Sequence, residues 1–245
     1  MTPDNTQSRP LNPKTARIVL HASTRVHETA RGKIQEWLDA TADDASPSPA
    51  SASVEIHLGL LDHPKIAEMA RGAGIRPEEI RHDGYGLGWA DDTTYIICSH
   101  IPRGLVYAAG YELPRIAPDT NPRPALPVDP VVTSPSDPIR GFRYWTEGGP
   151  EFIPRAACEL RLNLIWVATH AIYESEFPDW PELRDFVEAH ADQRERRRRE
   201  TETMIRLAKD HGIDIYIGGS YQLWHVPDDL YGLFCRAHPE AFRDL

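Results

Sequence analysis

Three clusters of residues have types and spacing suited to chemistry. Trp145 and Glu147 form the first. His170, Tyr173 and Glu174 form the second. Ser220, Tyr221, Trp224 and His225 form the third. Each cluster follows a short apolar run: Ile139–Trp145, Leu164–Ala168 and Ile213–Ile217. The flat rings of Trp145, Tyr221 and Trp224 can stack on the C–H face of a hydroxylated ring. His170 and His225 can hold hydroxyl groups, and Glu147 can accept a hydroxyl pair. Each also has a plainer reading: aromatic packing under a loop, a hydrogen-bonded structural histidine, a solvated loop acid. His170, Glu174 and His225 match no metal-ligand spacing, so no metal site and no cofactor are expected.

These clusters can converge only if the runs before them are parallel strands of one sheet. The intervening segments support that arrangement. Glu151–Arg161 places Phe152, Ala156, Ala157 and Leu160 on one helical face. A longer helix is expected from about Phe186 to Asp210, with Gly212 at its C-terminal cap. Apolar strands separated by helices indicate parallel βα units.

The first half has a different rhythm. Ile18–Leu20 reads as a strand and His27–Ala40 as a helix with Ile34, Trp37 and Leu38 on one face. Val54, Ile56 and Leu58 alternate as a second strand. Pro64–Ala73 is a second helix, with Pro64 in its first turn. Tyr85–Trp89 and Thr93–Cys98 form a hairpin turning at Ala90, Asp91 and Asp92. A third helix runs from about Pro102 to Pro114. The order is β-α-β-α-β-β-α. The prolines at 114, 118, 122, 124, 127, 130, 135 and 138 remove amide donors and hold the chain extended. The expected division is a disordered lead-in at 1–14, an auxiliary α+β domain at 15–116, a proline-rich linker at 117–138, and a second α/β unit at 139–245.

Composition narrows the partners. The chain has 245 residues, 40% hydrophobic and 26% charged, with a formal net charge of −10. An acidic balance disfavours nucleic acid and anionic membrane surfaces as partners. No apolar run approaches the roughly 20 residues of a membrane span. Cys98, Cys158 and Cys235 form no CxxC pair and read as buried free thiols. With no apolar signal-type run before Pro13, the cytoplasm is the expected location. Two further features read as structural. Gly84-Tyr85-Gly86-Leu87-Gly88 lies inside a hairpin, which is the wrong context for a dinucleotide loop. Arg194–Glu200 reads as a solvated helix face with i,i+4 pairs.

Several segments together resemble a known layout. Asp83-Gly84-Tyr85, the Thr94–Ile97 strand and Arg103-Gly104-Leu105-Val106-Tyr107 through Leu113 resemble the domain before the barrel in β-N-acetylhexosaminidases and α-glucuronidases. Pro138-Ile139-Arg140-Gly141-Phe142 resembles their first barrel strand. Leu162–Trp166 and Ala208–Asp214 resemble the second strand and the approach to the third. The likeness runs from about residue 16 to the end. It implies a (β/α)8, or TIM-type, barrel, hydrolysis of O-glycosyl bonds and a carbohydrate partner.

This chain departs from the family pattern in two ways. No arginine follows the first strand, where hexosaminidases bind the sugar. The family's catalytic carboxylates fall beyond the third strand, past Leu245. A whole barrel takes about 250 residues, so 139–245 would supply roughly three of eight units. The expectation is therefore the N-terminal portion of a glycoside hydrolase, inactive alone and prone to self-association through an open barrel edge. The alternatives are a non-catalytic carbohydrate-binding or interaction module and a truncated gene product.

Overall fold

The structure is a computed structural model, and it describes residues 8–42, 53–117, 125–144, 149–168 and 191–218. A five-stranded sheet and a three-stranded sheet enclose a shared layer of helices. The first sheet contains β2 (Arg17–Leu20), β3 (Glu55–Leu60), β4 (Tyr85–Trp89), β5 (Thr94–Ser99) and β7 (Val131–Thr133). Their spatial order is β2-β3-β5-β4-β7. Strands β2, β3 and β5 are parallel, and β4 runs antiparallel to both β5 and β7.

Strand alternation sends two sets of side chains to opposite faces. On one face Ile56, Leu58, Tyr85, Leu87, Tyr95 and Ile97 pack against helices α1 (Arg25–Ala42) and α3 (Pro102–Tyr107). On the other, Ile96 and Cys98 pack against Ile66 and Ala70 of α2 (Pro64–Gly72) and against Ile75 and Ile80. The glycines of β4 belong to this second face. A Cβ at Gly86 would come within 2.8 Å of Ile75 Cγ2, and one at Gly88 within 3.2 Å of Ala73 Cβ. The glycine-rich run therefore lets the segment after α2 lie flat on the sheet.

The helix expected to stop at Pro114 continues. After α3, residues Ala108–Glu112 form a π-helical turn, and α4 (Leu113–Ile116) completes the rod. Pro114 accounts for the widening: it has no N–H to donate, and its ring presses on the carbonyl four residues back, at Gly110. Gly110 then lies against α5 (Phe152–Cys158), where a Cβ would sit 2.8 Å from Cys158 Cβ.

The second sheet is parallel throughout, ordered β10 (Asp214–Gly218), β9 (Leu164–Ala168), β8 (Gly141–Tyr144). Gly141, Leu164 and Asp214 are in register. Its helix α6 (Ala191–Asp210) ends as expected. Gly212 adopts φ +69°, Gly212 N–H donates to Lys209 O, and Ile213 N–H donates to Ala208 O. This is a Schellman cap. Ile165, Ala156, Ala157, Met204 and Ala208 join the core that contains Leu58 and Leu105, so one apolar interior spans both sheets.

Two stretches expected to lack regular structure form short strands. β1 (Ser8–Pro10), in the expected lead-in, pairs antiparallel with β6 (Ala125–Pro127), in the proline-rich stretch. β7 then completes the edge of the five-stranded sheet. Proline is tolerated at strand ends and edges, where the missing donor costs nothing. Three-residue strands are too short to show alternation, so the sequence pattern does not reveal them.

Candidate functional site

Strands β8, β9 and β10 run the same way in register, so their carboxyl ends, Tyr144, Ala168 and Gly218, lie along one edge. The sequence-predicted site residues follow these strand ends in the sequence. Trp145, Glu147, His170, Tyr221, Trp224 and His225 all lie outside the described residues. The strands themselves carry one acid, Asp214, and it sits at the opposite, amino edge. Cys98 and Cys158 are buried free thiols, as expected, and burial raises the Cys158 thiol to about 11. Cys235 lies outside the described residues.

The amino edge holds the densest polar cluster, which the sequence reading did not assemble. Asp83 is 2% exposed. Its Oδ2 accepts from Arg140 Nη2 at 2.8 Å and from Asn163 Nδ2 at 3.1 Å, and Arg103 Nε lies 3.9 Å away. Arg140 also donates to the carbonyls of Arg161 and Asp137, at 2.9 and 2.6 Å. Asn163 Nδ2 donates to Pro138 O at 2.7 Å, and its Oδ1 accepts from the Arg140 amide at 2.8 Å. Arg103 reaches Asn163 O at 3.0 Å and Asp214 at 2.9 Å. Arg161 and His82 both adopt left-handed backbone, with φ of 52° and 54°. The cluster ties the five-stranded sheet, α3 and all three parallel strands together. Both Asn163 amide protons and three Arg140 donors go to protein partners, so the cluster reads as a joint, although Asp83 Oδ1 is buried with no hydrogen-bond partner among the described residues.

A second cluster lies along β3 beside the end of β2. His21 Nε2 is 2.8 Å from His57 Nδ1, and His57 Nε2 is 3.2 Å from Glu55 Oε2. One tautomer assignment satisfies both contacts: His57 Nε2–H donates to Glu55, and His21 Nε2–H donates to His57 Nδ1. The His63 ring stands edge-on to His21 at 5.0 Å. Burial, then His57, His63 and Lys65, lowers His21 to about 4. Among the described residues no group of three or more His, Cys, Asp or Glu is already arranged to hold a metal ion.

The lowered histidines set a pH dependence. Burial is also the largest cause lowering His27 and His211. In the unfolded chain each takes a proton near 6.5, and in the folded chain only at lower pH. The unfolded state therefore binds more protons between those values, and stability falls as pH drops from about 6.5 toward 4. The urea midpoint, measured with EDTA, should fall between pH 7.5 and 4.5, and by less in His21→Asn. An identical drop in both proteins would remove His21 from this account.

On the outer face of α6, Glu195 pairs with Arg198 and Arg199, each at 3.0 Å, as expected of a solvated helix face. No helix among the described residues is long and apolar enough to cross a membrane.

No protein-family model matches the chain, and no curated protein matches it. Solved structures do match. A GH138 enzyme targeting pectin rhamnogalacturonan II aligns over 91% of this chain and 26% of its own, with 11% identity and a TM-score of 0.56. CpGH84B aligns over 97% of this chain and 39% of its own, with 12% identity and a TM-score of 0.58. A β-N-acetylhexosaminidase from Bacteroides fragilis aligns over 96% and 44%, with 12% identity and a TM-score of 0.50. The fold is glycoside-hydrolase-like. The chain spans between about a quarter and under half of the length of these neighbours. Identities this low speak for fold alone.

Proposed function

We propose that this chain is the N-terminal portion of a carbohydrate-active enzyme that hydrolyses O-glycosyl bonds. Residues 15–116 would be the auxiliary unit and 139–245 the opening of a (β/α)8 barrel of the kind in β-N-acetylhexosaminidases and α-glucuronidases. The observation that carries this reading is the in-register parallel run β8-β9-β10, joined through Asp83, Arg140 and Asn163 to the preceding α+β sheet. In barrels the working residues sit at the carboxyl ends of strands. On this reading Trp145, Glu147, His170, Tyr221, Trp224 and His225 would line the sugar side.

Residues 1–245 alone should not turn over glycosides. Hydrolysis uses two carboxyl groups facing each other across the bond, about 5 Å apart for retention and somewhat more for inversion. The described strands carry no acid at their carboxyl ends. That same observation favours a second reading, a non-catalytic sugar-binding module.

Assays of residues 1–245 on aryl glycosides of N-acetylglucosamine, glucuronic acid and common hexoses test the inactivity. Turnover abolished by Glu147→Gln would overturn it. Calorimetry with the free sugars tests the sugar side: binding weakened at least tenfold by Trp145→Ala is expected, and no binding at millimolar sugar argues against both readings.

A further inference from the structure

In open α/β sheets, ligand sites form at the carboxyl ends of adjacent parallel strands whose connections leave to opposite faces. The first sheet has such a point. From β2 the chain passes to α1 on one face, and from the neighbouring β3 it passes to α2 on the other. Two histidines occupy this position, His21 just after β2 and His63 just before α2, and His57 lies further back, within β3. Nothing in the proposed glycosidase reading uses it.

We propose that His21, His57 and His63 form a binding site for a borderline divalent cation of the zinc class. His21 Nε2 and His57 Nδ1 already face each other at 2.8 Å. Zinc–nitrogen bonds of 2.0–2.1 Å place tetrahedral ligand nitrogens about 3.3 Å apart. The pair must open by about half an ångström, and both rings must tilt toward the ion, for it to replace the shared proton. His21 then carries its proton on Nδ1 instead, and His57 keeps Nε2–H on Glu55. A metal-bound histidine backed by a carboxylate in this way is held in tautomer and orientation.

His63 is the third ligand. Its Nδ1 is buried with no hydrogen-bond partner among the described residues, and its ring is 5.0 Å from that of His21. It must turn to reach the ion. Gly59 gives the cluster its room, because a Cβ there would come within 3.0 Å of His21 Cβ and 2.6 Å of Ile66 Cγ1. Lys65 is the opposing charge. It is exposed and long enough to swing into solvent.

The test uses untagged, chelator-stripped protein titrated with Co²⁺ and Zn²⁺ at pH 7.5. One equivalent should bind, with visible cobalt bands and a raised thermal midpoint. His21→Asn and His57→Gln should each weaken binding at least tenfold, and His63→Asn should change the cobalt spectrum. Glu55→Gln, at a side chain 41% exposed, should leave the fold intact and weaken binding about 10–100-fold. Absence of stoichiometric binding, binding indifferent to His21→Asn or to Glu55→Gln, or an unchanged cobalt spectrum in His63→Asn would each overturn the site.

Discussion

Replacing Asp83 by alanine should destabilise the protein by about 3–5 kcal/mol, the range for removing one partner of a buried ion pair. The carboxylate is 2% exposed and accepts from Arg140 and Asn163. Without it the Arg140 guanidinium stays in a largely dry joint with the carbonyls of Arg161 and Asp137 and the face of the Tyr107 ring as partners. Asn163 loses one of its two side-chain acceptors but keeps Pro138 O. A comparison decides whether burial or charge count matters. Arg9 and Asp92 also pair at 3.0 Å, but the Asp92 side chain is 95% exposed. Asp92→Ala should shift stability by no more than about 0.5 kcal/mol, because exposed pairs are screened and cost side-chain entropy. With urea m-values of roughly 1–3 kcal/mol/M, Asp83→Ala should lower the midpoint by more than 1 M. Equal shifts in the two variants would show that the cluster is not what joins the sheets.

Asp83 also shows what the sequence could and could not reveal. Asp83, Arg103, Arg140 and Asn163 all lie in the segments whose order resembles the hexosaminidase and glucuronidase layout. In the structure these four residues bond to one another. The resemblance thus rests largely on a structural joint, and so speaks for architecture more than for substrate. Their meeting was not legible in advance, because Asp83 and its partners are 57 and 80 residues apart and polar residues in loops carry no periodicity.

The long elements were legible for the opposite reason. Ile34, Trp37 and Leu38 in α1, and Ile56 and Leu58 in β3, repeat at the spacing their burial demands. Strands β1, β6 and β7, three residues each, have no room for a pattern. Pro114 was legible as a punctuation mark but misread as a stop, because the π-helical turn absorbs it. The histidines at 21, 57 and 63 come together only through the pairing of β2 with β3 and the start of α2. The aromatic and acidic residues expected on the sugar side lie outside the described residues.

The second large effect concerns association. Among the described residues β8 and β10 each pair only with β9, so both outer edges offer backbone donors and acceptors. Apolar groups accompany them: Tyr216 on β10 is 61% exposed, Ile139 before β8 is 72% exposed, and Leu160 before β9 is 54% exposed. A parallel edge of this kind is a template for another chain. In the matched structures the corresponding stretch is part of a chain more than twice as long. Purified residues 1–245 should therefore self-associate, with light-scattering mass rising with concentration. The rival outcome is that residues 219–245 of the same chain cover the edge. Tyr216→Lys separates the two, because a charge at an exposed position on the edge strand opposes addition of a second copy. Its dimer dissociation constant should rise at least tenfold, or about 1.4 kcal/mol, while the thermal midpoint at low concentration stays close to wild type. A wild-type protein that remains monomeric at high concentration would show that the edge is already covered. Association unchanged in Tyr216→Lys would move the contact to another surface.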